Sequence, residues 1–178
     1  MRIYVVLEDS DLRNTRESRL DILHQSLLIL QDSILNKELC LKVYIRTVDN
    51  ELIDVNPAFS VPRTLELFEV LIQSLVTNRK VKSTNNNILL QMLKNDWDSV
   101  KPVDGYSVGL STLGRYESLK CFISKFDFKR PLIVHIGTTS HKHSKGTTEN
   151  VDDVIKISPH SLTAAHCISK LLTELTLI

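Results

Sequence analysis

Histidine, lysine and small hydroxyl side chains crowd the stretch LIVHIGTTSHKHSKG, which covers residues 132–146. An apolar run ends at Gly137, and His135, His141 and His143 lie close together in sequence. Three kinds of chemistry could use such residues. The imidazoles could bind a metal, a glycine-containing loop could bind phosphate, or backbone groups at a strand end could bind another small ligand.

The spacing fits neither a metal site nor a phosphate loop well. Zinc sites usually combine Cys and His in tighter patterns, and no cysteine lies nearby, so His135 is more simply a buried strand histidine. A P-loop continues into Gly-Lys-Ser/Thr, and a dinucleotide fingerprint needs three glycines near the first strand. The chain has five glycines, and none forms either set. We therefore expect no metal, nucleoside triphosphate or dinucleotide.

A loop that binds another ligand remains, and two similar segments accompany it. GLSTLG at 109–114 ends the preceding strand, and ISPHSLTAA at 157–165 ends the following one. Ligands of α/β folds bind at the carboxyl ends of parallel strands, and small residues let backbone groups approach them. Three strand ends could thus converge on one small molecule, although ordinary strand–helix turns would look similar.

The elements that must position these loops follow from apolar periodicity. Strands are predicted over 2–8, 105–111, 131–137 and 152–158, and a hairpin over 40–48 and 51–56, joined through Asp49-Asn50. Helices are predicted over 20–35, 88–95, 115–126 and 161–175, and another on the apolar face of Leu65, Phe68, Ile72 and Leu75. Residues 77–87 read as a polar loop. Alternating strands and helices indicate an α/β domain with a mostly parallel sheet and an early inserted helix and hairpin.

Composition restricts the class further. The chain has 178 residues, a net charge of +1 and 42% apolar residues, which suits one domain over 1–178. A nucleic-acid surface would therefore be a local patch or be built by a dimer. We expect no membrane partner, because no apolar run is long enough and acids follow the first strand too soon for a signal peptide. The three separated cysteines indicate reduced thiols.

The first half carries a family resemblance. RLDILHQSLLILQDSILNK, LKVYIRT and DVNPAFSVPRT resemble the nucleolar essential protein family, also called essential for mitotic growth. Its pattern reads roughly R-P-D-I-x-H-Q-x-L-L, D-S-P-I-N-K, x-V-Y-I-x-T, N-P and I-P-R-T. The matching residues, in order and at matching spacing, are Arg19, Asp21, His24, Gln25, Asp32, Ser33, Asn36, Lys37, Tyr44, Thr47, Asn56, Pro57, Pro62, Arg63 and Thr64.

The resemblance implies a fold and an activity. Members are SPOUT-class methyltransferases, α/β domains with a C-terminal trefoil knot that act as homodimers. The implied reaction is methyl transfer from S-adenosylmethionine to N1 of a pseudouridine in small-subunit ribosomal RNA. It further implies small-subunit assembly factors as partners and a nuclear, nucleolar location. Residues of about 19–100 would form the family-specific insertion and RNA-binding region, and about 104–178 the knotted cofactor-binding region.

The later loops extend the resemblance and supply the implied site. GLSTLG is similar to the family's T-L-S-F-D-A, IGTT to V-G-A-M, and ISPHSLTAA to L-S-D-Y-P-L-S-A-S. Apolar walls for the adenine could come from Leu110, Ile157 and Leu162. The implied cofactor-binding residues are Leu110, Thr112, Gly137, Lys142, Ile157, Ser158, Pro159, His160, Ser161 and Leu162.

Catalysis and RNA binding would rest on the first half. The target nitrogen bears a weakly acidic proton, and Asp32 is our candidate acceptor, although it could merely brace the helix end. Arg19 resembles the family's RNA-contacting arginine and Asp21 the acid that orients it. Arg63 follows an extended loop from which its fork could reach a phosphate.

The chain also departs from the family pattern. Ser60 and Leu67 stand where basic residues are expected, which removes positive charge from the RNA surface. By ungapped spacing Lys142 replaces the second glycine of the knot loop, with Gly146 a little later. The proline of the last loop moves to Pro159. A catalytically inactive assembly factor that binds ribosomal RNA is therefore the alternative function.

Overall fold

The computed structural model describes residues 1–13, 15, 18–139 and 144–178. Within these ranges eight strands form one sheet, with bounds β1 Ile3–Ser10, β2 Leu41–Thr47, β3 Leu52–Val55, β4 Lys80–Lys82, β5 Ile88–Met92, β6 Tyr106–Tyr116, β7 Leu132–Gly137 and β8 Asp153–Lys156. The α-helices of the same ranges are α1 Leu20–Gln31, α2 Ile34–Lys37, α3 Leu65–Asn78, α4 Trp97–Val100, α5 Leu119–Lys125 and α6 Ala164–Thr176. A short 3₁₀ turn covers Lys145–Thr147.

The sheet combines a parallel and an antiparallel part. Its strand order is β4-β5-β3-β2-β1-β7-β6-β8. Strands β2, β1, β7, β6 and β8 pair in parallel, whereas β3, β5 and β4 are antiparallel to their neighbours. The predicted hairpin is β2–β3, and its turn includes Asn50 with a φ of 60°. The parallel part places the carboxyl ends of β7, β6 and β8 side by side.

Most of the core lies on one face of the sheet. Alternate strand residues such as Val5 and Leu7 pack there with the apolar faces of α1, α3, α5 and α6. Val6 points to the opposite face, where a smaller cluster forms around Trp97 of α4. The parallel strands thus have a thick helical layer on one side and a thin cover on the other.

The helix predicted over 20–35 is divided in two. Helix α1 ends at Gln31, because Asp32 leaves helical geometry and serves as its C-cap. Ser33 then caps α2 by accepting a hydrogen bond from the backbone N–H of Asn36. Serine favours this capping position over a helix interior, so the Asp-Ser pair ends one helix and starts the next.

Two predictions in the middle of the chain were wrong. Residues 88–95, expected to be a helix, form strand β5 over Ile88–Met92, and the polar loop at 77–87 contains strand β4. A short apolar run has no reliable period, and here Leu90 and Met92 alternate with exposed Gln91 as in a strand. Strand β5 forms because it pairs with β3, and β4 forms because it pairs with β5. The lysines of β4 suit its place at the edge of the sheet.

The predicted second-half elements are present with shifted bounds. Strand β6 extends to Tyr116, so the helix expected over 115–126 begins at Leu119. Thr163 caps α6 by accepting from the N–H of His166 at 3.3 Å, which places the helix start three residues later than predicted. Among the described residues, no helix is both long and apolar enough to cross a membrane. The trefoil knot stays a prediction.

Candidate functional site

A cavity of about 450 Å³ lies where the last three parallel strands end. Its volume falls in the range of small-molecule sites. The strand-end segments of the sequence analysis supply much of its wall, namely Leu110, Ser111, Thr112, Ile136, Gly137, Ile157, Ser158, His160, Ser161 and Leu162, and Ile155 of β8 adds to it. The start of α6 adds Thr163, Ala164, Ala165 and Cys167.

Strand β6 is shaped to leave this cavity open. Its pairing with β8 shifts register between Leu110 and Arg115, so the intervening residues bulge from the ladder. Gly109 lies so close to the backbone of Thr147 that a Cβ atom would overlap its carbonyl oxygen. Gly137 is also tight, because a Cβ there would lie 2.6 Å from the Ser144 Cβ. Glycine therefore allows the 3₁₀ turn to pack against the strand ends.

The sequence-derived cofactor residues largely meet in one place. Eight of the ten line the cavity, namely Leu110, Thr112, Gly137, Ile157, Ser158, His160, Ser161 and Leu162. Pro159 lies between two of them but is not part of the wall. Lys142 lies outside the described residues, as do His141 and His143. Apolar side chains and hydroxyl side chains line the cavity together, a combination that suits a small-molecule site.

The beginning of α1 closes the other side of the cavity. Arg19, Asp21, Ile22 and Gln25 line it, although Arg19 and Asp21 were expected to serve RNA. Arg19 donates from Nε and from a terminal nitrogen to the two carboxylate oxygens of Asp21, at 2.8 Å each. These hydrogen bonds lower the pKa of Asp21 and raise that of Arg19. Half of the Arg19 side chain stays exposed, so the fork is held at the cavity edge.

Asp32 and Arg63 stand together but away from this cavity. An Arg63 guanidinium nitrogen donates to Asp32 Oδ2 at 2.7 Å, and both side chains are exposed. Asp32 follows the last residue of α1, about 17 Å along the helix axis from Asp21. Neither residue lines the cavity of its own chain. The catalytic role of Asp32 and the RNA role of Arg63 stay predictions.

His135 is a buried strand histidine. It is 2% exposed, and its Nδ1 lies 2.7 Å from Glu8 Oε1. Within the part of the chain that the structure describes, no group of three His, Cys, Asp or Glu side chains could hold a metal ion. The imidazole therefore acts within the packing under the strand ends.

Several lining residues were not anticipated as ligand contacts. Gln25 is part of the family motif, but the motif by itself does not assign it a role in ligand binding. Ser144 and Thr147 come shortly after residues 140–143, which the structure does not describe, and Lys156 is the last residue of β8. Cys167 faces the cavity from α6, and burial raises the pKa of its thiol to about 11. Sequence spacing gave no sign of these last four, because only the folded sheet brings them together.

Comparison with known proteins identifies the fold class and then the family. The crystal structure of Archaeoglobus fulgidus Nep1 bound to S-adenosylhomocysteine matches with a TM-score of 0.75 at 20% identity, over 97% of this chain and 96% of that one. This likeness confirms the predicted α/β fold. A family model described as EMG1/NEP1 methyltransferase matches residues 6–176.

Two curated relatives agree with that match. The ribosomal RNA small subunit methyltransferase NEP1 of Candida glabrata is 36% identical over 160 residues, covering 89% of this chain and 69% of the relative. The human protein of the same name is 34% identical over 163 residues, covering 90% and 65%. The chain thus spans about two thirds of their length. It belongs to the EMG1/NEP1 methyltransferase family, which confirms the sequence resemblance.

Proposed function

We propose that this chain transfers a methyl group from S-adenosylmethionine to N1 of a pseudouridine in small-subunit ribosomal RNA. One observation carries the proposal: three loops that resemble the family's cofactor loops converge on one cavity, and Arg19 and Asp21 also line it. The archaeal neighbour is bound to S-adenosylhomocysteine, and the curated relatives are named for small-subunit ribosomal RNA methylation. Both fit that chemistry.

The residues present fit the cofactor. Leu110, Ile155, Ile157 and Leu162 offer apolar walls for an adenine, and the backbone of the small-residue loops offers hydrogen bonds. When bound, S-adenosylmethionine supplies an activated methyl group on a sulfonium, so no metal is required. Lys142, which lies outside the described residues, stays a predicted contact.

Arg19 would hold the RNA beside the cavity. Its guanidinium is fixed by Asp21, and a planar fork of this kind suits phosphate oxygens. Arg63 would contact the RNA backbone further away, within the RNA-binding region of about 19–100. The cofactor-binding region would be about 104–178, within one domain over 1–178.

Asp32 is the proposed acceptor for the proton of the target nitrogen. It does not line the cavity of its own chain, so a second copy of the chain would have to bring it to the target nitrogen. This requirement agrees with the proposed homodimer. We also propose a nucleolar location and a role beside small-subunit assembly factors.

A methyl-transfer assay tests this function. RNA oligonucleotides that contain pseudouridine or uridine at one position would be incubated with the protein and radiolabelled S-adenosylmethionine. We expect label only in the pseudouridine RNA, recovered as the N1-methylated nucleoside, and loss of transfer with Asp32→Asn. Label in neither RNA would overturn the proposed activity. Full transfer by Asp32→Asn would remove Asp32 from the mechanism but leave the reaction in place.

The second candidate is an inactive assembly factor that binds ribosomal RNA. The surface near Arg63 favours it, because Leu67 is 61% exposed and Ser60 is also exposed where the family pattern has basic residues. Loss of these charges weakens phosphate binding and with it the delivery of RNA to the cavity. Binding of pre-ribosomal RNA without any methyl transfer would support this candidate.

A further inference from the structure

The end of β1 touches residues on either side of the segment 140–143 that contribute to one wall of the cavity. Glu8, Asp9 and Ser10 occupy this end, and none of them lines the cavity. Two segments that do line it lie alongside: the end of β7 at Gly137 and the 3₁₀ turn with the residue before it, Ser144. The contacts between these segments give β1 a role in shaping the wall.

The Glu8 side chain packs against the 3₁₀ turn at Gly146 and is held in place. Its side chain is fully buried, and its two carboxylate oxygens are held by His135 Nδ1 and by Arg46 Nε, at 2.7 Å each. Gly146 packs directly on this group, so a Cβ atom at position 146 would overlap the Glu8 carboxylate and crowd Arg46. Because the carboxylate is bonded on both sides, it has little freedom to move away.

Asp9 ties the turn to the strand. Its φ of 55° is a left-handed conformation that few residues other than glycine adopt, and a short polar side chain tolerates it. In this conformation Oδ2 accepts a hydrogen bond from Ser144 Oγ at 2.5 Å and a longer one from the Gly146 N–H at 3.5 Å. Asp9 therefore holds one residue that lines the cavity and its neighbour in the turn.

The other end of the loop is tied to the same strand. The backbone N–H and the hydroxyl of Thr138 both donate to the Glu8 carbonyl oxygen at 2.9 Å. The Thr138 hydroxyl also lies 2.6 Å from Ser10 Oγ. Both ends of the segment that joins β7 to the turn are thus bonded to Glu8–Ser10.

We propose that Asp9 is a positioning residue for the cofactor, acting through Ser144 and Gly146 on the cavity wall. The inference rests on the proposed function, since it assigns Asp9 to the wall of that same cofactor site. Asp9 does not touch the cavity. Its effect is to fix the turn where Ser144 and Thr147 can face the ligand.

Two substitutions at one position separate the hydrogen bonds from the backbone conformation. Asp9→Gly permits the left-handed φ but removes the acceptor, whereas Asp9→Asn permits the φ and keeps an oxygen that can accept. Asn86 offers a matched control, because it has a φ of 65° in the β4–β5 turn and accepts from Lys82 Nζ at 2.6 Å. Asn86→Gly removes a comparable hydrogen bond far from the cavity.

The measurement is calorimetric titration of each protein, unsubstituted or variant, with S-adenosylhomocysteine. We expect Asp9→Gly to bind about tenfold more weakly than the unsubstituted protein, the loss of one strong hydrogen bond. Asp9→Asn and Asn86→Gly should bind within about twofold of it. In the transfer assay Asp9→Gly should raise the KM for S-adenosylmethionine and leave kcat at saturation unchanged. The variant should stay folded, with an unfolding midpoint that falls by only a few degrees.

Three results would overturn the inference, and they are distinguishable. If the unsubstituted protein binds and Asp9→Gly binds equally well, Asp9 does not position the wall, and the proposed function still stands. If the unsubstituted protein does not bind either ligand, the proposed function fails and the inference fails with it. Equal weakening by Asp9→Asn and Asp9→Gly would also contradict the inference, because the acceptor would then be irrelevant.

Discussion

Removing the Glu8 carboxylate should destabilise the folded chain strongly. The side chain has no solvent exposure and compensates the charge of Arg46, whose own side chain is 20% exposed. It also holds His135, which is 2% exposed. The substitution Glu8→Ala leaves Arg46 without its partner and opens a cavity beneath Gly146.

The expected loss follows from this environment. Removing one partner of a buried ion pair costs about 3–5 kcal/mol, because the remaining charge stays desolvated and unpaired. A domain of this size usually unfolds with a free energy of about 5–15 kcal/mol, so the variant would lose a large share of its stability. The thermal midpoint should fall by roughly 6–20 °C.

The assay is denaturant unfolding followed by circular dichroism, with linear extrapolation to water. Glu51→Ala is the matched control, since Glu51 pairs with Arg79 at the surface and both side chains are partly exposed. An exposed pair contributes about 0–1 kcal/mol, so the control should unfold near the unsubstituted protein. A loss below about 1 kcal/mol for Glu8→Ala would refute the description of Glu8 as a compensated buried charge.

Three further predictions concern the cavity. Hydrogen bonds from Arg19 lower the pKa of Asp21, so the pair stabilises the folded chain above pH 3.8, the ordinary pKa, and this stability is lost as the pH falls through the folded-state pKa. A carbon NMR titration should give an Asp21 midpoint below 3.8 that rises in Arg19→Ala. An Asp21 midpoint that does not move in this variant would contradict the pairing. Burial raises the pKa of the Cys167 thiol to about 11, so only about 1% of it is thiolate at pH 9. Alkylation followed by mass spectrometry should show Cys167 as the last cysteine to react, and its reaction should be slower still when S-adenosylhomocysteine is present. Fast alkylation of Cys167 would place its side chain outside the cavity. The methyl group added by Gly109→Ala would overlap the Thr147 carbonyl oxygen. We expect the variant to lose about 1–3 kcal/mol of stability and to bind the ligand more weakly in a titration. Unchanged stability and binding would show that the 3₁₀ turn does not pack on β6.

The three loops around the cavity were predictable because local chemistry and topology agree there. Leu110 is the last β6 residue paired with β7, Gly137 ends β7, and Ile157 follows β8. Each belongs to a recognisable apolar run, and the carboxyl ends of parallel strands lie at one edge of the sheet. Because β7, β6 and β8 are neighbours in the sheet, the loops at their carboxyl ends lie side by side. The family motifs added the chemistry that small residues alone left open.

Other features depended on tertiary contacts that sequence spacing does not encode. Strand β5 was mistaken for a helix because its short apolar run fits both periods, and only pairing with β3 and β4 decides it. Ser144 and Thr147 reach the cavity through the packing of a turn on Glu8 and Gly109. Arg19 and Asp21 were expected on the RNA surface, but the direction of α1 places them at the cavity edge.

The central claim is that the cavity at the ends of β6, β7 and β8 holds S-adenosylmethionine. The most direct measurement is a calorimetric titration of the unsubstituted protein with S-adenosylmethionine, with S-adenosylhomocysteine and ATP as comparisons. We predict saturable binding of the first two near one site per chain, and no binding of ATP. Absence of binding by both sulfur ligands, or equal binding of ATP, would contradict the account.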